Sequence, residues 1–173
     1  MNRVLLTLAA AAAAVVPSAA QAGEVFGGLY VHDVKTPLDK GGVEGGADVQ
    51  LGFRGGRIGR TPLQPYAFVA INTAGETNYA AVGLSAKFGH RLFIRPGLGI
   101  AVHSGSARNY EDPFNGKVDL GSRILFEPEL GIGFQASERL SIEASVVHMS
   151  HAQLFGRQNP GMDNIGVRLN FGL

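Results

Sequence analysis

From Ile124 to Phe134 every second residue is apolar, and between them stand Leu125, Glu127, Glu129, Gly131 and Gly133. Successive side chains of a β-strand point to opposite faces, so this segment has one apolar face and one carrying charge and glycine. Two further segments repeat the pattern. Leu92, Ile94, Pro96, Leu98, Ile100 and Val102 oppose Arg91, Phe93, Arg95, Gly97, Gly99, Ala101 and His103. Ala80, Val82, Leu84, Ala86 and Phe88 oppose Tyr79, Ala81, Gly83, Ser85 and Lys87. Beyond the first 22 residues no long stretch has the helical period, and the chain reads as all-β.

Eight strands are predicted, over residues 24–33, 43–54, 64–72, 77–88, 91–104, 122–135, 139–151 and 163–173. Glycine, proline, asparagine and aspartate cluster between them as turn signals. The connections at 89–90, at 136–138 and around Gly75 are tight, whereas 34–42, 55–63, 105–121 and 152–162 are longer. Short and long connections are expected to alternate, as periplasmic turns and extracellular loops do in outer-membrane barrels.

Two closed architectures fit the alternation. A soluble barrel hides its apolar face inside, and a membrane barrel turns it outward. The mixed face decides. Arg95, Arg123, Glu127, Glu129, Arg139, Glu143 and Arg168 carry both signs among many glycines, as an internal ion-pair network in a small barrel requires. The expectation is an eight-stranded antiparallel transmembrane β-barrel, with strands long enough to cross the bilayer at a tilt. Closure also removes the unpaired edges that lipid does not tolerate.

The start of the chain agrees. Met1-Asn2-Arg3 is a positive n-region, Val4 to Val16 is apolar, and Ala20-Gln21-Ala22 is an A-x-A cleavage site. Residues 1–22 therefore read as a signal peptide and 23–173 as one barrel domain, exported to the outer membrane. There is no cysteine, so disulfides do not hold the fold. Lys and Arg together number 15 against 14 Asp and Glu. That balance argues against a nucleic-acid partner, which needs a basic excess.

His148 and Ser150 are two apart near the end of the seventh strand, so they share a face, with Cβ atoms about 7 Å apart. A histidine leaning along the strand reaches a serine hydroxyl there and can act as its general base. The antiparallel return of the last strand brings Asp163 beside them, in the orienting role of a Ser-His-acid triad. His148 and Ser150 continue the series Leu140, Ile142, Ala144 and Val146, and Asp163 opens the series Ile165, Val167, Leu169 and Phe171. Three polar groups thus end two lipid-facing series. Either they form a functional site at the membrane surface or they lie just beyond the hydrocarbon, where polarity costs little.

His148-x-Ser150-x-Ala152, then Asn159-Pro160-Gly161-x-Asp163 and a terminal strand, resembles the lipid A 3-O-deacylase (PagL-type) family. Residues 120–131 also resemble that family's sixth strand. The likeness spans most of the chain after the leader, and its specific part is about the last thirty residues. The resemblance implies a cofactor-free serine esterase on the barrel's exterior, cleaving the 3-position ester of lipid A or a related glycolipid. Ser150 becomes the nucleophile, His148 the base and Asp163 the acid. The best-known pattern has Asn after the nucleophile, in the oxyanion site, and a Glu as the acid. Here His151 follows Ser150, so His151, backbone N–H groups and Asn159 are the candidates for the oxyanion.

Other groupings carry less. His148 and His151 are three apart and face opposite ways on a strand, which disfavours a metal pair. His103-Ser104 pairs the two residue types on opposite faces. Arg57 and Arg60, in a glycine-rich loop, are candidates to hold an anionic head group. Glu127 and Glu129 share the inward face, where ion pairing is expected rather than catalysis. The alternatives to an esterase are a non-catalytic barrel with a structural or adhesive role and a soluble ligand-binding barrel. Homodimerisation is left open.

Overall fold

Eight antiparallel strands close on themselves. The computed structural model describes residues 23–37, 42–108, 116–154 and 159–173, and the leader expected over 1–22 lies outside them. The strands are β1 (Glu24–Val31), β2 (Ala47–Arg54), β3 (Leu63–Asn72), β4 (Tyr79–Ala86, resumed at Phe88–Gly89), β5 (Leu92–His103), β6 (Ile124–Gln135), β7 (Leu140–Met149) and β8 (Met162–Gly172). Each pairs with the next, and β8 returns to β1 in the register Glu24↔Gly172 to Val31↔Ile165. All eight predicted strands form. The second starts at Ala47 rather than Val43, because the N–H groups of Val43 and Glu44 bond the Asp33 carboxylate instead of a neighbouring strand.

The apolar series faces outward. On β6, Ile124, Phe126, Leu130, Ile132 and Phe134 are exposed while Leu125, Glu127, Glu129, Gly131 and Gly133 are buried. The same holds for Leu92, Ile94, Leu98 and Ile100 on β5 and for Ile165, Val167, Leu169 and Phe171 on β8. An apolar belt of this extent is a lipid-facing surface, which excludes the soluble ligand-binding barrel.

Inside, Arg54, Arg95 and Arg168 are buried and share Glu24, Glu129 and Glu143. Arg168 contacts Glu129 at 2.7 Å and Glu143 at 3.4 Å, and Arg95 contacts Glu24 at 2.6 Å and Glu143 at 3.2 Å. Arg54 binds Glu24 and, at 3.5 Å, Glu129. Two residues expected in this network are not in it. Arg123 and Arg139 stand at strand ends and are exposed, with Arg123 donating to the carbonyl of Gly105. Arg54 and Glu24 take part in their place. The inward glycines give this network its room: a Cβ on Gly131 would overlap the Glu143 carboxylate, and one on Gly133 the Phe93 ring.

The strict alternation of loop lengths is not observed. The described residues of the connections 32–37, 42–46, 104–108, 116–123, 150–154 and 159–161 lie at one end of the barrel together with the short connection 73–78. The other end has two short turns and the longer segment 55–62. The turn at Gly75 stays short because the Asn72 side chain closes it, accepting the N–H groups of Ala74 and Glu76.

Candidate active site

His148 and Asp163 are direct partners across β7 and β8. Their side chains share the outer face, as cross-strand partners do. His148 Nδ1 lies 2.5 Å from Asp163 Oδ1. An ionised carboxylate only accepts, so Nδ1 carries the proton and Nε2 points away from the acid as a proton acceptor. Asp163 is fully buried, and the His148 side chain is 18% exposed.

Ser150 follows on the same face, just past the end of β7, and is buried. Its backbone pairs with Phe126 on β6: the Phe126 N–H donates to the Ser150 carbonyl at 2.8 Å and the return bond is 3.1 Å. This pair fixes the serine's backbone one register step beyond the strand and puts the Phe126 ring beside it on the outer wall. Beyond His151 the chain turns sharply, with Ala152 and Gln153 in the left-handed region at φ 52° and 59°. Ser150 therefore lies at the last paired position before a turn.

The carboxylate of Asp163 is buried although it belongs to the outward series. The first long loop covers it. β1 ends opposite Ile165, and beyond that point the Val34 N–H donates to the Asp163 carbonyl at 2.7 Å. The Thr36 hydroxyl donates to Asp163 Oδ2. Asp33, at φ 49°, turns the loop back, donates its N–H to Asn164 Oδ1 and closes the loop's neck through Val43 and Glu44.

Below the loop lies a buried clamp. His32 contacts Asp48 through Nδ1 at 2.9 Å and Glu44 through Nε2 at 3.1 Å. Both partners are acceptors, so both ring nitrogens are protonated and the imidazole is a cation. Burial alone would lower its pKa, but the hydrogen bonds and charges of Asp48 and Glu44 outweigh that and raise it to about 9. Burial works to raise the pKa of Glu44. The His32 bond, together with the N–H groups of Thr77 and Val118, instead brings it down to about 2.

The expected groups fare differently. His148 and Asp163 come together, with Ser150 on their face. His151 is fully buried, and its backbone N–H donates to Asn159 Oδ1 at 3.0 Å. His103 donates from Nε2 to the Ser122 carbonyl at 2.6 Å, and Ser104 accepts the Asn78 N–H at 3.0 Å, so both are structural. Glu129 is ion-paired, as expected of the inward carboxylates, while Glu127 takes the Tyr66 hydroxyl. Arg57 and Arg60 lie in the 55–62 segment, at the end of the barrel opposite Ser150, and cannot hold a head group at that serine. Thr36, Phe126 and the His32 clamp were not singled out from the sequence. Phe126 was visible only as one member of an apolar series, and Thr36 is 127 positions away from Asp163.

Fold and site together define a small transmembrane β-barrel of the outer-membrane type, with a histidine–aspartate pair and a serine on its outer wall. The family model described as lipid A 3-O-deacylase (PagL) matches residues 38–171, and the chain belongs to that family. Among solved structures, the crystal structure of the outer membrane enzyme PagL superposes with a TM-score of 0.59 at 19% identity, covering 87% of this chain and 99% of that one. A de novo designed transmembrane β-barrel gives 0.57 at 10% identity, covering 91% and 100%. Neisserial surface protein A gives 0.50 at 11%, covering 86% and 96%. Such low identities carry the fold alone. The chain matches no curated protein.

Proposed function

We propose that this barrel is a serine esterase that removes the 3-position acyl chain of lipid A in the outer leaflet, through Ser150, His148 and Asp163. One observation carries the reading. A buried carboxylate holds a histidine by Nδ1 on the lipid-facing wall, two residues before a serine, in a chain of the deacylase family. Nε2 of His148 is then the base available to the serine.

In the reaction, His148 Nε2 takes the proton of Ser150 as Oγ attacks the ester carbonyl carbon. The tetrahedral intermediate collapses, the C–O bond to the sugar breaks, and the imidazolium returns its proton to the departing 3-oxygen. Water, deprotonated by the same nitrogen, then attacks the acyl-serine and releases the fatty acid. Asp163 stabilises the imidazolium in both halves. With its Oδ1 committed to the His151 N–H, the Asn159 amide keeps its NH2 group for the oxyanion. All these groups come from one chain, and a homodimer is not part of the proposal. Export through a signal peptide over residues 1–22 is.

The test is the mass spectrum of purified lipid A after incubation with the refolded protein and with Ser150→Ala. The wild type should remove one hydroxyacyl mass and Ser150→Ala none, a loss of at least about a thousandfold in rate. Unchanged lipid A from both, with heat-modifiable barrel migration intact, would turn the reading to the non-catalytic barrel.

A further inference from the structure

We infer that Thr36, in the first long loop, is a positioning residue for this site: its hydroxyl holds the second oxygen of Asp163 so that the first faces His148. The inference rests on the reading of Asp163 as the acid of the esterase. A carboxylate whose strand face points to lipid is in an expensive place. Asp163 is nevertheless fully buried, and each of its oxygens has a donor: His148 Nδ1 on Oδ1 and Thr36 Oγ1 on Oδ2. Two donors on opposite oxygens hold the carboxylate's rotation about its last bond more firmly than one of them does. The position of Thr36 is itself fixed two residues upstream, where the Val34 N–H extends the β1–β8 pairing to the Asp163 carbonyl. The Asp33 hydrogen bonds and the His32 clamp close the base of the same loop. The loop thus reaches from the barrel's interior polar cluster over its rim to an outer-wall carboxylate.

Thr36→Val keeps the side chain's shape and removes the donor, and Thr36→Ser keeps the donor. In detergent micelles with purified lipid A, Thr36→Val should lower kcat by about tenfold to a hundredfold with little change in KM, because geometry rather than binding is lost. Thr36→Ser should recover most of the rate. The proton resonance of His148 Nδ1–H should broaden or move upfield in Thr36→Val and return in Thr36→Ser. Ser150→Ala is run beside them. Wild-type activity in Thr36→Val with an inactive Ser150→Ala overturns the positioning role and leaves the esterase standing. Equal loss in Thr36→Val and Thr36→Ser, with the resonance unmoved, also overturns it, since packing then accounts for the loss. Full activity in Ser150→Ala removes the esterase reading and this inference with it.

Discussion

His148 and Asp163 face each other across β7 and β8 in direct register, and the His148 Nδ1 to Asp163 Oδ1 distance is 2.5 Å. The contact joins two strands on the barrel's outer wall. It is a contact between neighbouring strands, so the sheet itself brings the histidine and the aspartate together.

Asp163→Asn keeps the size of the side chain but removes its charge and offers an amide where His148 and Thr36 both donate. One of those donors then loses its acceptor, or the histidine turns to its other tautomer. The turnover of lipid A should fall by about a hundredfold to ten-thousandfold. Asp163→Glu should retain more of the rate than Asp163→Asn. Steady-state kinetics on the three proteins, each checked for heat-modifiable migration, tests the order.

Asn159→Ala removes an amide that accepts the His151 N–H and, in the proposed mechanism, stabilises the oxyanion. Loss of one oxyanion donor costs about 2.7–4 kcal/mol of transition-state stabilisation. The expected outcome is a fall in kcat of about a hundredfold or more with KM nearly unchanged. Asn159→Asp, which keeps the acceptor and loses the donor, should be as slow.

The first long loop should be tied down most firmly in mildly acidic solution. The pKa of His32 rises on folding from 6.5 to about 9, so its stabilisation is complete below 6.5 and fades as pH climbs through 9. The pKa of Glu44 falls from 4.5 to about 2, so its share is complete above 4.5 and fades as pH drops toward 2. Amide exchange of residues 33–36, followed in detergent across pH, should show greatest protection between 4.5 and 6.5 after correction for the intrinsic rate. His32→Gln should abolish the alkaline loss.

Arg168→Met leaves Glu129 without its 2.7 Å partner and weakens the hold on Glu143. Removing one member of a buried charge network costs about 3–5 kcal/mol. The urea midpoint for loss of the folded band should drop accordingly. Arg168→Met combined with Glu129→Gln should recover part of the loss, since the stranded charge goes too.

Much of this architecture is legible in the sequence, because a barrel wall writes its two faces into alternate residues. Ile124 to Phe134 needed no tertiary knowledge to be placed outside, nor Glu129 and Arg168 to be placed inside. The pairing of His148 with Asp163 was likewise legible, since a hairpin returning from one strand to the next brings its ends together. Arg123 and Arg139 depart from the expected network because parity continues past the point where a strand stops, and both stand exposed just outside their strands. The length of the loop carrying Arg57 and Arg60 does not tell which end of the barrel it occupies, whereas strand order does. Counting strands would have placed them at the end opposite Ser150. Thr36 could not be read at all. It belongs to no periodic segment, and its bond to Asp163 exists only because the barrel closes β8 onto β1.

The filled interior has a consequence for how substrate and barrel meet. Arginine, glutamate and aromatic side chains occupy the lumen, and the groups of the proposed triad are on the rim of the outer wall. An encounter of that geometry is two-dimensional: the lipid arrives by sideways diffusion in its own leaflet and never leaves it. Turnover should then follow the mole fraction of substrate in the surface, and diluting vesicles of fixed composition into more buffer should leave the rate per barrel unchanged.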